Sequence, residues 1–173
     1  MDLRKLVREV PDFPKPGIGF KDITTLVKSP AGLEEAVDRI AAQYADAGVD
    51  VVVGIEARGF IFGTGVAMKL GVGFVPARKP GKLPAEVVTA EYELEYGTDA
   101  VEMHRDAIST GDRVLIVDDL LATGGTAAAT AKLVEELGGD VVAIAFVIDL
   151  PFLKGREKLA GYEVSSLIEY DSE

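Results

Sequence analysis

Long uninterrupted runs of β-branched and other apolar residues constrain the fold of this chain more than any other feature. The runs are VDVVVGI (49–55), RVLIVDD (113–119) and VVAIAFVIDL (141–150). A strand without alternation is typical of a parallel sheet, because helices cover both faces of such a sheet. Strands separated by helices of about a dozen residues form right-handed βαβ units. The pattern therefore predicts an α/β fold with a doubly wound, mostly parallel sheet flanked by helices.

Shorter elements are predicted around this sheet. Ser29 and Pro30 are typical of a helix start, and the apolar periodicity that follows them ends at Gly48. The other predicted elements are helices at 2–9, 60–70, 126–139 and 153–160, strands at 73–77 and 163–170, two strands at 91–104 around Gly97, and an ordered loop at 13–22. Because the chain shows no repeat, low-complexity tract or linker, we expect one domain over 1–173.

The composition excludes several kinds of chemistry. The 173 residues include no cysteine and a single histidine, His104, so disulfides, thiolate zinc sites, a cysteine nucleophile and a multi-histidine metal site are ruled out. No apolar run reaches the roughly 18 residues of a membrane span, and the N-terminus lacks the apolar centre of a signal peptide. We therefore expect a cytoplasmic protein.

Charge narrows the choice of partners. The net charge is −11, which repels nucleic acid and anionic membranes, so we expect neither as a partner. Against this background Arg78, Lys79 and Lys82 lie within five residues. A basic cluster in an acidic chain indicates either a local anion site or a solvated loop, and charge alone does not separate the two.

The strongest motif is VLIVDDLLATGGT (114–126). A buried strand ends in Asp118 and Asp119, and a loop rich in glycine and threonine leads into a helix. Backbone N–H groups at a helix start, together with two hydroxyls, form a phosphate cradle, and glycines allow the anion a close approach. The segment lacks the Gly-Lys-Ser/Thr of a Walker A loop. Two carboxylates beside a phosphate cradle suit a sugar phosphate, whereas the alternative is a strand end followed by an ordinary turn.

This segment resembles the signature of the type I phosphoribosyltransferases, which bind phosphoribosyl pyrophosphate (PRPP). Further segments, in the same order, resemble the adenine phosphoribosyltransferases of that family: VPDFPKPGIGFKDIT (10–24), GIEARGFIFG (54–63), RKPGKLP (78–84), YELEYG (92–97) and LKGREKLAG (153–161). The resemblance implies an N-terminal base-binding hood over about residues 1–30 and a flexible lid over about residues 86–104. It also implies a homodimer.

The implied reaction converts adenine and PRPP into AMP and pyrophosphate, with inversion at the anomeric carbon. Mg²⁺ is expected as a cofactor carried by PRPP, without protein ligands. Such a reaction needs positioning, anion stabilisation and exclusion of water rather than a protein nucleophile. Two alternative functions are a phosphoribosyltransferase for hypoxanthine, guanine or xanthine, and a PRPP-sensing regulator without enzymatic activity. A PRPP synthetase-like fold would need a far longer chain.

The resemblance also assigns roles to individual residues. The PRPP or AMP site is expected to contain Asp118, Asp119, Ala122, Thr123, Gly124, Gly125 and Thr126, and the pyrophosphate site Glu56, Ala57, Arg58, Gly59, Arg78, Lys79 and Lys82. Adenine is expected to meet Gly19, Phe20, Lys21 and Leu150, with the backbone of 19–21 reading the base edge. Lys21 stands where some members carry arginine, and His104 receives no role.

The lid is expected to bring catalytic groups to the substrate. Glu95 matches the general acid/base, Tyr96 would help to close the lid over the pyrophosphate, and Arg58 would meet the leaving group. The residues alone indicate less, because Glu91, Glu93 and Glu95 alternate as they would in a half-exposed strand.

Overall fold

The central element of the computed structural model, which describes residues 1–172, is a five-stranded parallel sheet. Its strands are β3 (Val51–Ile55), β4 (Gly73–Ala77), β7 (Arg113–Leu121), β8 (Asp140–Asp149) and β9 (Val164–Glu169), in the order β4-β3-β7-β8-β9. All four strand pairs are parallel, with Val53 opposite Val75 on one side and Ile116 on the other. The predicted fold class is confirmed.

Two small antiparallel sheets lie outside the central one. Strands β1 (Arg8–Val10) and β2 (Phe20–Asp22) form the first, and the hairpin of β5 (Val87–Glu93) and β6 (Thr98–His104) forms the second. The helices are α1 (Thr24–Lys28), α2 (Pro30–Gln43), α3 (Gly59–Leu70), α4 (Gly125–Glu136) and α5 (Gly155–Lys158), with 3₁₀ helices at Leu3–Leu6 and Pro151–Leu153. No helix within residues 1–172 has both the length and the apolar character needed to cross a membrane.

The central sheet separates two hydrophobic cores. The first core joins one sheet face to α1, α2, α3 and the N-terminal segment, through residues such as Ile40, Phe62 and Leu26. The second joins the other face to α4 and the β5–β6 hairpin, through Leu133 and Met103 among others. Helices on both faces explain why the inner strands carry apolar residues at successive positions, as β3 does throughout.

Element boundaries follow the predictions closely, with three corrections. The helix predicted at 2–9 is wrong, because the helical turn stops at Leu6 and Arg8–Val10 pairs with Phe20–Asp22 as a strand. The loop predicted at 13–22 therefore ends in a strand. Ser29 caps α2 as predicted, accepting a hydrogen bond from the Gly32 N–H at 3.2 Å, but the helix ends at Gln43 rather than near Gly48.

The strand order creates a switch point at the carboxyl edge of the sheet. Strand β3 leads through α3 to β4 on one side, whereas its neighbour β7 leads through α4 to β8 on the other. Connections that leave adjacent strands in opposite directions open a crevice between them, and open α/β sheets bind ligands there. The loops after β3 and β7 are the two segments that the sequence singled out.

Candidate active site

An ion pair joins the two loops at the switch point. Arg58 follows β3, and its Nε donates to Oδ2 of Asp119, near the end of β7, at 2.5 Å. The Asp119 side chain is only 7% exposed, whereas that of Arg58 is 51% exposed. The guanidinium therefore compensates a buried carboxylate through one nitrogen and keeps its exposed part available to an anion in the crevice.

Asp118 and Gly59 meet in the same crevice. A Cβ on Gly59 would lie 2.8 Å from Oδ1 of Asp118, so this approach between the loop and β7 requires glycine. The Asp119 backbone N–H donates to the same Oδ1 at 2.8 Å. Burial and the neighbouring Asp119 carboxylate raise the pKa of Asp118 well above its ordinary value. The structure thus places two carboxylates in different environments on successive residues.

The loop after β7 encloses a small cavity of about 90 Å³. Its lining includes Asp118 and every residue of the predicted cradle, namely Ala122, Thr123, Gly124, Gly125 and Thr126. The loop leads into the N-terminus of α4, where unpaired backbone N–H groups and the helix dipole attract an anion. Gly124 adopts φ +84°, a left-handed conformation that favours glycine.

The basic loop after β4 is tied to the loop after β3. Glu56 accepts hydrogen bonds from the Arg78 side chain at 2.6 Å and from the Lys79 backbone N–H at 2.8 Å. Burial raises the pKa of Glu56, but these two hydrogen bonds outweigh it and lower the pKa overall. The Lys82 charge adds to the lowering, and the residue is exposed. Arg78, Lys79 and Lys82 therefore lie together beside Ala57, which is exposed next to Arg58.

A hydrogen-bond chain links this basic loop to the phosphate cradle. Lys79 Nζ donates to the Tyr92 hydroxyl at 2.7 Å and also pairs with Asp99, and the Thr126 hydroxyl donates to the Tyr92 hydroxyl at 3.0 Å. Tyr92 and Asp99 lie on the β5–β6 hairpin. The hairpin therefore contacts both predicted phosphate-binding regions through one tyrosine.

The tip of the hairpin carries the predicted lid residues. Leu94 N–H donates to the Gly97 carbonyl at 2.9 Å, and this turn holds Glu95 and Tyr96 in solvent. Tyr96 is 85% exposed. The structure does not bring Glu95 and Tyr96 into the crevice, in contrast to Arg58, Asp118 and the cradle. The catalytic role of these two residues therefore stays a prediction.

An aromatic pocket lies on the other side of Arg58. It has a volume of about 420 Å³ and is lined by Val10, Phe13, Phe20, Asp22, Ile23, Thr24 and Arg58. Phe13 and Phe20 stack edge to face, with ring centroids 5.1 Å apart. Apolar walls with a few polar groups are typical of a site for a flat heteroaromatic ligand. Phe20 therefore lines a pocket of this kind, and Arg58 is common to this pocket and the crevice.

The remaining predicted base contacts lie differently. The Lys21 side chain is buried away from this pocket, donates to Glu9 at 2.6 Å and lies over the Tyr170 ring, so only its backbone could read a base. Gly19 precedes β2 and is half-buried. Leu150 follows β8, and its N–H donates to the Leu121 carbonyl at 3.0 Å, but within the described chain it does not line the Phe20 pocket.

Comparison with known proteins identifies the family of the chain. A family model described as a phosphoribosyl transferase domain matches residues 23–171. Adenine phosphoribosyltransferase from Clostridium perfringens is 62% identical over 171 residues, covering 99% of each chain. The chain belongs to the adenine phosphoribosyltransferase family. It is accordingly a pentosyltransferase enzyme of the purine salvage type.

Solved structures of adenine phosphoribosyltransferases share the whole fold. The enzyme from Thermoanaerobacter pseudethanolicus superposes with a TM-score of 0.95 at 54% identity, covering 98% of both chains. The enzyme from Saccharomyces cerevisiae, solved in complex with an imino-altritol bisphosphate and adenine, has a TM-score of 0.91 at 43% identity over 96% of both chains. The resemblance seen in the sequence therefore extends over the complete domain.

Several residues of this candidate site were not predicted from the sequence. Asp99 and Tyr92 position Lys79, and Phe13, Asp22 and Thr24 line the aromatic pocket. Tyr92 alternates with Glu91 and Glu93 in a strand, and this pattern does not show which face meets the cradle. The distance in sequence between Tyr92 and Gly97 predicts that Tyr92 lies on the hairpin, but it does not predict the contact with Thr126.

The raised pKa of Asp118 leads to a stability prediction. A carboxyl group whose pKa is higher in the folded state costs stability once it ionises, so the cost is absent below the unfolded pKa and complete above the folded one. Asp118→Asn should therefore raise the Tm by about 2–4 °C near neutral pH, the shift that roughly 1 kcal/mol gives for a chain of this size. The gain should vanish at the acidic end of a pH series of thermal melts. A gain that is equal at every pH would contradict the ionisation argument.

Proposed function

We propose that this protein transfers the phosphoribosyl group of PRPP to N9 of adenine, releasing pyrophosphate and forming AMP with inversion at the anomeric carbon. One observation carries the proposal. At the carboxyl edge of the sheet, Arg58 lines the aromatic pocket of Phe20 and pairs with Asp119, whose neighbour Asp118 lines the cavity of 122–126, while Glu56 binds Arg78 of the cationic loop of 78–82. PRPP has two anionic ends on either side of a sugar, and adenine is a flat base, so this arrangement matches the substrates.

The residues divide the binding work between the two ends of PRPP. We assign the 5′-phosphate to the backbone N–H groups and hydroxyls between Ala122 and Thr126, and the ribose hydroxyls to Asp118 and Asp119. We assign the pyrophosphate to Arg58, the backbone of 56–59, and the cations of Arg78, Lys79 and Lys82. These cations and N–H groups stabilise the negative charge that grows on the leaving group.

The donor set fits Mg²⁺ that arrives with the substrate. Mg²⁺ keeps several waters and binds through one or two carboxylates together with substrate phosphates. Asp118 and Asp119 offer carboxylate oxygens beside the cradle, although Asp119 already accepts from Arg58. Within residues 1–172 no group of three potential ligand side chains lies close enough to hold a metal by itself. When bound, the ion would neutralise charge on the pyrophosphate.

Closure of the hairpin completes the site in this proposal. Glu95 and Tyr96 reach solvent from the tip of a two-stranded arm whose base is fixed by the second core. Over the crevice, Glu95 would hold or accept the proton of the purine ring while Tyr96 covers the pyrophosphate. Closing the arm also excludes water, which would otherwise compete with adenine for the anomeric carbon.

The first test of the proposal is an initial-rate assay with Mg²⁺ and PRPP, in which adenine, hypoxanthine, guanine and xanthine are supplied separately. We expect a large preference for adenine in kcat/KM, because a site that pairs with the 6-amino group and N1 leaves its own groups unpaired against a 6-oxopurine. A preference for a 6-oxopurine would overturn the base assignment. PRPP binding without turnover on any base would favour a regulator.

We further propose that the protein is a homodimer through α3. This helix exposes Ile61 and Met68, which lie on one face two turns apart, and Met68 is 78% exposed. Phe60 stacks on Phe74, and the Arg78 guanidinium lies 5.9 Å from the Phe60 ring centre. The apolar face therefore adjoins the basic loop, and a second copy would exclude water from both.

The dimer proposal predicts the effect of one substitution. Met68→Glu should convert the protein from about twice 18.3 kDa to 18.3 kDa in sedimentation equilibrium, because it places a charge in the apolar contact. Lys132→Glu, on the helix α4 of the opposite layer, serves as the control and should leave the mass unchanged. A wild-type protein that sediments as a monomer would refute the dimer.

The comparisons also support a single domain over 1–173, because the relatives align over nearly their full length. A cytoplasmic location remains a proposal that rests on the cysteine-free composition, which suits a reducing compartment.

A further inference from the structure

A buried carboxylate lies at the end of β8, outside the groups assigned to substrate. Asp149 is fully buried, and its Oδ2 accepts from Nε of Arg156 at 2.6 Å. Its Oδ1 is buried without a hydrogen-bond partner among the described residues. An incompletely paired buried charge is costly, and the reaction proposed above does not use it. We therefore consider which parts of the structure Arg156 holds in place.

Arg156 connects the segment after β8 to the last strand of the sheet. Its Nη1 donates to the Val164 carbonyl at 3.0 Å, and its Nη2 donates to the Ser166 hydroxyl at 3.2 Å. Nε is already engaged by Asp149. A planar guanidinium can satisfy these separate acceptors at once, whereas an ammonium group offers its donors from a single atom. The backbone at Arg156 is thus fixed relative to both β8 and β9.

Gly155, the residue before Arg156, packs directly against the phosphate cradle. A Cβ on Gly155 would lie 2.4 Å from the Ala122 carbonyl oxygen, and a Cβ on Gly124 would lie 2.4 Å from the Gly155 carbonyl oxygen. The two backbones therefore pack so closely that neither glycine has room for a side chain. Lys154 precedes this contact at φ +57°, a left-handed conformation that is unfavourable for a residue other than glycine. The surrounding contacts must therefore hold the segment in place.

We propose that Asp149 and Arg156 are positioning residues for the 5′-phosphate cradle. Neither lines the cradle cavity. Arg156, anchored by Asp149, fixes the Gly155 peptide, and that peptide supports Ala122 and Gly124 from behind. The N–H groups of the cradle are then preorganised for the phosphate before the substrate arrives. This inference rests on the function proposed above, since it names what secures the 5′-phosphate site.

A positioning role and a purely structural role of Arg156 predict different effects on ligand binding. If Arg156 only stabilised the fold, its loss would weaken all ligands equally or leave them unchanged. If it positions the cradle, its loss should affect ligands in proportion to their use of the 5′-phosphate. AMP and adenosine form the appropriate pair of probes, because they share the base and the ribose and differ in that phosphate.

The test is Arg156→Lys in the full chain, with affinities for AMP and adenosine measured by isothermal titration calorimetry. We expect the ratio of adenosine Kd to AMP Kd to fall at least about tenfold, since displacements of around 1 Å at a site can cost about a hundredfold. KM for PRPP should rise by a similar factor, while KM for adenine stays within about twofold. Asp149→Asn, a nearly isosteric substitution, should show the same pattern. It serves as the test if the Arg156→Lys variant does not fold.

Arg113→Lys is a matched control. Arg113 lies at the amino end of β7, where its guanidinium donates to the Ala47 carbonyl and to Asp140 at the opposite edge of the sheet. It should lower the Tm but leave the AMP-to-adenosine ratio unchanged. An unchanged ratio in both Arg156→Lys and Asp149→Asn would overturn the inference. A wild-type protein that turns over no adenine with PRPP would instead refute the function on which the inference rests.

Discussion

Replacement of Glu95 by alanine is expected to lower kcat by about 10²–10⁴-fold, the usual contribution of a positioned acid or base. The affinity for PRPP should stay within a few fold, because Glu95 lies at the exposed hairpin tip and contacts neither the cradle nor the basic loop within the described chain. For the same reason the substitution should not affect folding. The measurements are steady-state kinetics with adenine as the varied substrate, together with titration of PRPP binding.

Glu93→Ala provides the control for this prediction. Glu93 is also exposed, lies two residues away on β5 and pairs across the hairpin with Thr98. It carries the same charge, so any effect of net charge on PRPP binding appears in both variants. We expect Glu93→Ala to retain turnover within about twofold to threefold. Turnover that survives in Glu95→Ala would remove Glu95 from the mechanism.

Removal of both cradle hydroxyls should have the second-largest effect. In Thr123→Ala with Thr126→Ala, we expect PRPP affinity to fall by about 10²–10⁴-fold, because each hydrogen bond to a charged group contributes roughly 1.5–3 kcal/mol. Thr123 is exposed beside the cavity, and the Thr126 hydroxyl already donates to Tyr92 at 3.0 Å. Phosphate would therefore have to compete with this tyrosine for Thr126, and closure of the hairpin would be affected as well.

Adenine binding should be unaffected by this double substitution, since the Phe20 pocket lies on the other side of Arg58. Thr89→Ala is a suitable control, because the Thr89 hydroxyl donates to Glu102 at 3.2 Å on the exposed part of the hairpin. Binding would be measured calorimetrically with PRPP and Mg²⁺. Equal PRPP affinity in the double variant and the wild type would mean that the phosphate site lies elsewhere.

The central sheet could be predicted from the sequence because each of its inner strands has a strong local signal. Continuous apolar runs and glycine stops placed β3, β4, β7 and β8 to within a few residues. The N-terminal segment was mispredicted because its structure depends on a distant partner. Arg8–Val10 becomes a strand only by pairing with Phe20–Asp22, and the Arg8 guanidinium donates to Asp22 at 2.5 Å. Local helical spacing carries no information about such pairing.

The same difference between local and long-range information applies to the candidate site. Residues contiguous in sequence, such as the cradle of 122–126, could be found from their spacing alone, and the resemblance added the roles. Contacts between separate segments could not be found. Nothing in the sequence places Tyr92 between Lys79 and Thr126, or Gly155 against Ala122.

The division of the molecule into two cores bears on how such an enzyme can change over generations. The aromatic pocket of Phe20 lies beside the first core, on β1, β2 and the start of α1, whereas α4 and the hairpin pack into the second core. The strands of the central sheet contribute side chains to both cores, and the Arg58–Asp119 ion pair joins the loop after β3 to the end of β7. Under the proposed assignment, substitutions beside the first core can reshape the pocket for another base and leave the phosphate site of 122–126 unchanged. Selection can thus vary the acceptor and keep the donor.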